Sequence, residues 1–494
     1  MTPRNTGPQT TGPQNTGPQN TVELALAAAR CDDCVVIADE TSSANLRWAG
    51  NTLTTNGVSR SRQLTVIAIS RSGSQARAGV VSRAGVRDDQ IEDVVRAAEK
   101  AAAESSPAED AQALLAPGDP EAFGGNGRGS DGGSARGSGG QAAWDDPLAS
   151  TEIGVFSAFS PALAAAFDAA GSGGQRLYGF AEHSVTSTFL GTSTGLRLRH
   201  DQPAGTVDIN AKSADMARSA WVGQGTRDFT DVDVAALHAD LGQRLAWAGR
   251  RVELPAGRYE TLLPPAAIAD LLIYLYWSAG AKDALDGRTV FSKAGGGTRV
   301  GERLSALPLT LRSDPAAPGL ACAPFVIAHA SSREASVFDN GLALRPTEWI
   351  SGGELAALVQ TRYTAGLSGL GVTPVTGNLI LDGGGTATLD GMIAGTRRGL
   401  LVTCLWYIRE VDPQTLLLTG LTRDGIYLVE NGEVTGAVNN FRFNESPVGM
   451  LGRIAEIGAS VPALSREWGD YFARTSMPPA RVEGFNMSSV SQAS

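Results

Sequence analysis

The sequence predicts an α+β protein, in which an N-terminal α/β domain precedes a C-terminal domain built on a large, mainly antiparallel β-sheet. Residues 176–210 and 399–446 both contain short β-prone segments separated by turn residues. Amphipathic or apolar stretches with helical spacing lie between these runs, most clearly at 232–248 and 266–280. We expect the C-terminal domain to be this sheet or a barrel-like meander, with flanking helices.

Length, charge and apolar patterning exclude several classes of protein. A chain of 494 residues is too long for one ordinary core, so two or three domains are expected. The net charge of −10, with no block of Lys or Arg, argues against a nucleic-acid-binding surface. The most apolar stretch, 271–281, is far shorter than the ~20 residues of a membrane span. With no signal-peptide pattern and no secreted disulfide framework, we expect a cytoplasmic protein without membrane contact.

Shifts in composition divide the chain into five predicted segments. A Thr-Gly-Pro-Gln repeat at the N-terminus and a Gly-rich stretch further on offer too few apolar residues to form a core. The predicted segments are a disordered tail at 1–20, the first part of the N-terminal domain at 21–116, a flexible linker or insertion at 117–143, the second part of that domain at 144–252, and the C-terminal domain at 253–494.

The N-terminal domain is predicted to combine an antiparallel sheet with amphipathic helices. The strands are CVVIADE, NLRWAGN, QLTVIAIS and ARAGVVS, followed later by the strand run at 176–210. The helices are 21–30, one that begins at Asp88-Asp89, 161–170, and 232–248 with Val234, Leu237, Leu241 and Leu245 on one face.

The C-terminal domain is predicted to begin with a strand at 258–263 and a helix at 266–280. That helix is apolar nearly all round, which predicts burial in a core or an interface. Residues 282–322 are expected to be rich in loops. Ser351 with Glu354 fits a capping box and predicts a helix over 351–366. A further helix is expected near 447–457 and a last strand near 480–485.

The stretch Gly399–Ser446 is predicted to form four strands in sequence, joined as hairpins. Asn431-Gly432 is the strongest turn signal, because both central residues of a type I′ turn need positive φ. The predicted strands are 400–407, 415–422, 425–430 and 433–439.

Three strings resemble catalytic or binding motifs but lack the context that these need. The GxGxxG string at 127–132 lies in the Gly-rich stretch, with no strand before it. The GxSxG string at 191–195, with Ser193 at its centre, is followed by a strand and predicts a hairpin turn rather than a nucleophile elbow. Cys31 and Cys34 have a redox or zinc spacing, but a zinc site needs a second pair. Cys34 is predicted to be a core residue, with a redox role as the alternative.

No metal site or acid–base pair is evident among the histidines and carboxylates. His183, His200, His238 and His329 share no helix face, and no HExxH or HExxxH string occurs. Cys322 and His329 could share a metal only through a loop that the sequence cannot place. Asp382 and Asp390 are predicted to be turn residues.

The C-terminal third resembles the TldD/PmbA (TldD/TldE) family, cytoplasmic metallopeptidases formerly called modulators of DNA gyrase. The similarity spans almost the whole chain apart from residues 1–20 and the Gly-rich linker. The resemblance rests on RPTEWISGGELAALVQTRYTAGLSGLG, GNLIL, the whole of 399–446 and PPARVEGFNMSS. NLRWAGNTLTTNGVSRSRQLTVIAI is similar to the opening strands of the family. The most specific part is the Trp-Tyr…Asp-Pro…Leu-Thr-Gly…Thr-Arg-Asp-Gly…Glu-Asn-Gly-Glu series within 399–446.

The resemblance implies a particular role. In TldD-type chains, HExxxH on a helix and a later Cys hold the metal, and its Glu acts as general base; TldE-type chains lack this motif and pair with a TldD-type subunit. The corresponding helix here, 266–280, contains no His or Glu, and Cys404 lies in a strand, so the chain resembles the TldE branch. The resemblance therefore implies no catalytic or metal-binding residue and no cofactor in this chain, with zinc on the partner.

Two sets of residues are candidates for contacts with other molecules. The strand array would form a wall that binds unfolded or modified peptide, through Leu405, Trp406, Tyr407, Thr419, Thr422, Arg423 and Asp424. The apolar helix would contribute an interface through Tyr274, Tyr276 and Trp277. The alternatives are a metal-free peptide-binding or scaffold protein with no proteolytic role, and a hydrolase that uses Ser193.

Overall fold

The computed structural model describes residues 17–73, 75–124 and 143–491. The predicted tail up to residue 16, most of the Gly-rich stretch and the GxGxxG string lie outside the described residues. The first helix, α1 (Pro18–Ala28), begins inside the segment predicted to be disordered. Pro18 lies in its first turn, where the absent N–H of proline leaves no hydrogen bond unmade.

The described residues of the N-terminal half form one six-stranded antiparallel sheet and four α-helices. The sheet order is β3-β2-β1-β4-β5-β6. The strands are β1 (Asp33–Ala49), β2 (Leu53–Ser72), β3 (Gln75–Ala84), β4 (Gln175–Thr192), β5 (Arg197–Ser213) and β6 (Ser219–Thr226). The helices after α1 are α2 (Ile91–Glu104), which follows a 3₁₀ turn at Asp88–Gln90, α3 (Phe159–Ser172) and α4 (Val234–Trp247). CVVIADE and NLRWAGN, predicted as two strands, belong to the single strand β1.

The two faces of this sheet are covered differently. On one face, α1 and α2 pack over Val36 and Val66, while α3 and α4 pack over Leu46 and Ile209. The other face carries Val35 and other apolar side chains that pack against segments from the C-terminal half of the chain. Because successive side chains of a strand point to opposite faces, each strand supplies both layers.

The C-terminal half contains sixteen further strands and five α-helices among the described residues. The strands are β7 (Arg251–Val252), β8 (Gly257–Leu263), β9 (Thr310–Ser313), β10 (Thr347–Ser351), β11 (Glu354–Leu355), β12 (Leu379–Asp382), β13 (Arg398–Val402), β14 (Trp406–Asp412), β15 (Leu417–Leu421), β16 (Ile426–Glu430), β17 (Glu433–Val438), β18 (Phe441–Glu445), β19 (Ile454–Ile457), β20 (Val461–Ala463), β21 (Thr475–Met477) and β22 (Ala480–Val490). The helices are α5 (Pro265–Trp277), α6 (Ala281–Leu285), α7 (Arg362–Ser368), α8 (Leu389–Ala394) and α9 (Pro447–Leu451).

These strands form two sheets, of six and ten strands. The smaller has the order β11-β10-β9-β12-β21-β20, and the larger β14-β15-β18-β22-β8-β13-β16-β17-β7, with β19 paired to β22. The α+β class is confirmed. The larger sheet is open, with β14 and β7 as its edges, and does not close into a barrel.

The strands within 399–446 do not follow each other across the sheet. The predicted strand 400–407 is divided into β13 and β14, and β22 and β8 lie between the group of β13, β16 and β17 and the group of β14, β15 and β18. The hairpin at Asn431-Gly432 is confirmed, with φ of 51° and 86° at these residues. The turn depends only on neighbouring residues and could be predicted, whereas the pairing of β13 with β8 and of β18 with β22 joins distant parts of the chain and could not.

The predicted helix at 351–366 is also wrong. Ser351 ends β10, and Gly352 and Gly353, with φ of 55° and 86°, form the tight turn into β11. The helix in this region is α7, where Thr361 caps the backbone N–H of Thr364. The Ser-Gly-Gly-Glu string fits a capping box by spacing, but two consecutive glycines at positive φ favour a hairpin. The helix expected at 447–457 is likewise shorter, and β19 follows it.

Candidate functional site

Helix α5 lies in the core shared by the two C-terminal sheets. Pro264 is its N-cap and Pro265 its first residue, and its side chains are buried on nearly every side. Its apolar sequence therefore reflects a central position in the core. Asp270 is the single carboxylate on this helix and is fully buried.

Asp270 binds backbone rather than solvent or another side chain. Its Oδ1 accepts the N–H of Glu467 at 2.8 Å, and its Oδ2 accepts the N–H of Arg466 at 3.3 Å. Burial raises the pKa of Asp270 to about 8, although both N–H groups act to lower it. Asp270 thus holds the segment around residue 466 against the helix.

That segment connects the two halves of the chain through Arg466. Its guanidinium carbon lies 5.1 Å from the ring centroid of Trp221 on β6 and 4.0 Å from that of Trp406 on β14. A cation held over the faces of two aromatic rings is stabilised by their quadrupoles. Ser219 also donates a hydrogen bond to Asp424, which joins β6 to the loop before β16.

The residues predicted as a peptide-binding wall divide into exposed and buried groups. Leu405 and Thr422 are buried, and the Thr422 hydroxyl accepts the N–H of Phe441 at 2.9 Å. They do not face solvent. Tyr407, 53% exposed, and the half-buried Trp406 lie at the start of the edge strand β14.

The other wall residues have partners within the fold. Thr419 donates to Asn444 at 2.8 Å. Arg423 and Asp424 lie in the loop before β16, with the Arg423 Nε 3.6 Å from a carboxylate oxygen of Asp424. The seven residues are therefore not one continuous surface.

The three aromatic residues predicted for an interface also separate. Tyr276 is buried, stacks near Trp349, and donates its hydroxyl to the Thr376 carbonyl at 3.1 Å, so it belongs to the core. Trp277 is 41% exposed, and its ring centroid lies 5.2 Å from that of Trp468. Tyr274 contacts the same Trp468 ring at 5.5 Å. Tyr274, Trp277 and Trp468 form what we call the aromatic patch.

A cavity of about 670 Å³ lies between the N-terminal sheet and the C-terminal half. Two rows of side chains that cross four neighbouring strands form its floor. The rows are Gln63–Asp39–Thr188–His200 and Ser61–Thr41–Thr186–Gln202. The residues of the segment 322–339, the residues 374–377 and Arg474 cover this floor.

Asp39 is the centre of a hydrogen-bonded group on the floor. Its Oδ1 accepts the Thr188 hydroxyl at 2.5 Å, and its Oδ2 lies 3.5 Å from the His329 Nε2. The His329 Nδ1 lies 3.3 Å from the Thr65 hydroxyl. His329 thus connects the covering segment to the sheet.

A second group contains Arg474, His200 and Cys322. Arg474 donates its Nε–H to the Gly377 carbonyl at 3.0 Å. Burial lowers the pKa of Arg474, lowers that of His200 and raises that of Cys322. His200 is therefore neutral near pH 7, and Arg474 carries the positive charge of this group.

The sequence motifs that were set aside have structural roles. Ser193 lies in the hairpin between β4 and β5, as predicted, and its hydroxyl oxygen accepts the N–H of Cys34 at 3.0 Å. Cys34 is buried in β1, whereas Cys31 is half-buried and its pKa is lowered to about 7 by a hydrogen bond with the Cys34 thiol. That environment keeps the redox alternative for this pair open.

The histidines have partners of their own. His183 contacts Thr151 and the Arg227 carbonyl, both at 2.7 Å, and His238 contacts Gln175 at 3.2 Å. His200 contacts Gln202, and none of the four forms a hydrogen bond with Ser193. Cys322 and His329 both line the cavity.

The residues on α5 do not fit a zinc site. Both oxygens of Asp270 accept backbone N–H groups, and the remaining polar side-chain groups of the helix are two phenols and one indole. Burial raises the pKa of the Cys404 thiol to about 12, which opposes the thiolate that a metal requires. Within 17–73, 75–124 and 143–491, no cluster of three or more His, Cys, Asp or Glu side chains could hold a metal ion. No helix in those ranges is both long and apolar enough to cross a membrane.

Sequence reasoning did not identify the cavity. Its floor comes from four strands, and its cover from segments more than 100 residues further along the chain. One local signal was present. On one face of β1, the apolar side chains of Val35 and Ile37 are followed by the polar side chains of Asp39 and Thr41. This change indicates that the apolar contact of this face ends before Asp39.

Solved structures similar to this chain share its whole fold. TldE from Thermococcus kodakarensis has a TM-score of 0.74 and 16% identity, with 95% of this chain and 99% of that chain covered. A protein described as a modulator of DNA gyrase from Bacteroides thetaiotaomicron has a TM-score of 0.71 and 15% identity, with coverage of 96% and 98%. Its counterpart from Thermotoga maritima has a TM-score of 0.72 and 15% identity, with coverage of 95% and 99%.

A family model assigns the C-terminal half. Residues 256–489 match the PmbA/TldA metallopeptidase C-terminal domain. No sequence among the curated proteins compared matches the chain significantly. The matched range contains α5, both C-terminal sheets and the aromatic patch. Residues 256–489 therefore form a C-terminal domain of the PmbA/TldA metallopeptidase type, and the whole chain has the fold of the Thermococcus TldE.

Proposed function

We propose that this chain is the non-metal, TldE-like subunit of a heteromeric zinc peptidase that processes unfolded or modified peptides in the cytoplasm. The observation that carries the proposal is the environment of α5. The helix that corresponds to the metal-binding helix of TldD-type chains is packed on nearly all sides, and its only carboxylate anchors backbone. The fold shared with the Thermococcus TldE supports the same role.

The catalytic metal belongs to a TldD-type partner carrying HExxxH. Zinc bound there supplies a Lewis acid and a water of lowered pKa. This chain contributes binding surface. Its edge strand β14 presents Tyr407 and Val411, which are 53% and 56% exposed. An edge strand binds an extended peptide by backbone hydrogen bonds with little side-chain selection.

Glu467 limits where a peptide can pair with β14. Its carboxylate accepts the N–H of Tyr407 at 3.0 Å and forms an ion pair with Arg409 at 3.1 Å. Pairing with a peptide is therefore favoured toward Val411 rather than at the start of the strand. The aromatic patch is the proposed contact with the partner, because exposed Trp and Tyr side chains are enriched at the centres of interfaces.

Co-purification and peptidase assays test this assignment. The full chain is co-expressed with a TldD-type chain from the same organism, and hydrolysis of labelled unfolded casein is followed with and without chelator. We expect hydrolysis only from the pair. Trp277→Glu places a charge in the aromatic patch and should weaken pairing at least tenfold. Leu53→Glu, at an exposed position in the N-terminal half, is the matched control and should leave pairing unchanged.

Two results would contradict the proposal. Chelator-sensitive hydrolysis by this chain alone would mean that it owns a metal site. Recovery of the chain from its own cytoplasm without any HExxxH-bearing protein would favour the alternative, a metal-free peptide-binding or scaffold protein.

A further inference from the structure

Arg474 is a cation that lacks an anionic partner in the described part of the chain. It lines the cavity, and its hydrogen bond to the Gly377 carbonyl uses only the Nε–H. No carboxylate of the described residues lies within 4 Å of its guanidinium, whereas most of the chain's other half-buried arginines have one. The Nη groups are therefore available to a ligand, and a guanidinium binds a carboxylate through two parallel hydrogen bonds.

The backbone around Arg474 is shaped to admit the guanidinium. A Cβ atom at Gly377 would lie 3.4 Å from an Nη of Arg474 and 3.2 Å from the Cβ of Cys322. Glycine thus lets the planar group lie against the chain. Contact with the backbone at Gly377 therefore positions the guanidinium at the cavity wall, and no carboxylate of the described residues takes part.

The polar neighbours of Arg474 do not compete for the same ligand atoms. Gln202 donates its amide to the carbonyls of Pro203 and Ala321, at 2.9 and 3.3 Å. Its oxygen then accepts the Nε2–H of His200 at 3.1 Å. With His200 neutral, the guanidinium is the positive charge that an entering anion meets at this end of the cavity.

The rest of the floor suits amide groups. Between His200 on β5 and Asp39 on β1 lie two strand spacings, about 9.6 Å. An extended peptide advances ~3.3 Å per residue, so about three residues span this distance. Thr41 and Thr186 offer uncharged donors and acceptors beside it, and Gln63 lies one strand further, on β2. A cavity of about 670 Å³ is of the size that holds small ligands.

We propose that the cavity between the N-terminal sheet and the C-terminal half binds the carboxylate end of a short peptide, with Arg474 pairing to the carboxylate. The site is separate from the edge strand β14. The inference rests on the proposed function in one respect. The proposed function is the reason to expect that the bound carboxylate belongs to a peptide and not to a free carboxylic acid.

Calorimetry on the full chain, without any partner, tests the proposal. The probes are trialanine, its C-terminal amide, and succinate. Trialanine should bind, and its amide should bind at least about tenfold more weakly, since a charge-assisted pair is lost. Arg474→Gln should weaken trialanine binding by a similar factor. Arg345→Gln removes an exposed arginine next to the cavity-lining Leu344 and should change nothing.

A second measurement uses the unaltered protein, so that it does not depend on how a variant folds. Phenylglyoxal modifies arginines that lack anionic partners, and mass spectrometry of peptides reports each site. Trialanine should protect Arg474 at least severalfold, and should not protect Arg345.

Three outcomes would overturn the proposal. Equal binding of trialanine and its amide would exclude a carboxylate contact. Tighter binding of succinate than of trialanine would assign the site to a free acid. Unprotected Arg474 at saturating trialanine would place the peptide elsewhere. None of these outcomes changes whether the chain pairs with a TldD-type subunit, so the two proposals fail independently.

Discussion

Two arginines from one short segment, Arg466 and Arg474, meet the N-terminal half of the chain in opposite ways. Arg466 lies between the rings of Trp221 and Trp406, and its backbone is held by Asp270. Arg474 lies at the wall of a cavity, with its Nη groups uncommitted. Neither has a carboxylate within 4 Å among the described residues. The difference shows that the surroundings of an arginine, rather than the residue type, decide whether it packs between the two halves of the chain or is available to bind a ligand.

The largest effect should come from removing a ring at the closed contact. Trp221→Ala deletes a buried indole and is expected to lower the free energy of unfolding by about 3–5 kcal/mol. Urea denaturation measures the change. Trp277→Ala, at a ring that is 41% exposed, should cost only roughly 1 kcal/mol. Equal losses would mean that the contact around Arg466 is no more important than a surface contact.

The anchor beneath Arg466 is the next target. Asp270→Ala leaves the backbone N–H groups of Arg466 and Glu467 without acceptors, at a cost of about 2–4 kcal/mol. Asp145→Ala, at an exposed aspartate, is the control and should stay within about 0.5 kcal/mol. A loss no larger than that of the control, in the same denaturation assay, would show that Asp270 does not hold this segment.

The buried carboxyl should also make the closed contact sensitive to pH. The pKa of Asp270 is raised from 3.8 to about 8 in the folded chain, so its neutral form is favoured there. The contribution to stability is fully present below pH 4 and is lost as pH rises through 8, with a slope of up to ~1.4 kcal/mol per pH unit. Asp270→Asn should remove this part of the slope in unfolding measurements between pH 4 and 8. A slope unchanged by the substitution would contradict the assignment.

The smallest effects compare the two arginines directly. Arg466→Gln loses two cation–ring contacts and should lower the free energy of unfolding by about 1–2 kcal/mol. Arg474→Gln loses one hydrogen bond and should change it by less than about 1 kcal/mol. The same substitution at both positions makes each variant the control for the other. If Arg474→Gln proves the more damaging, the cavity wall is a structural contact and the two positions do not differ as described.

The sequence by itself determined the local elements and the resemblance of the C-terminal half to the TldD/PmbA family. The α+β class, the buried helix α5, the hairpin at Asn431-Gly432 and the turn around Ser193 followed from side-chain periodicity and from the φ that each turn requires. These are properties of neighbouring residues, so they can be predicted without knowledge of the tertiary structure.

Tertiary structure alone decided the order of strands in the large sheet, the hairpin at Gly352-Gly353 in place of a helix, and the two environments of Arg466 and Arg474. β8 and β22, which lie at the centre of that sheet, are more than 200 residues apart in the chain. Asp39 and Arg474 line the same cavity because distant segments of the chain pack against each other. The free energy gained by this packing depends on which surfaces come into contact. Which surfaces come into contact is determined by the packing of the whole chain, and a local sequence pattern does not predict it.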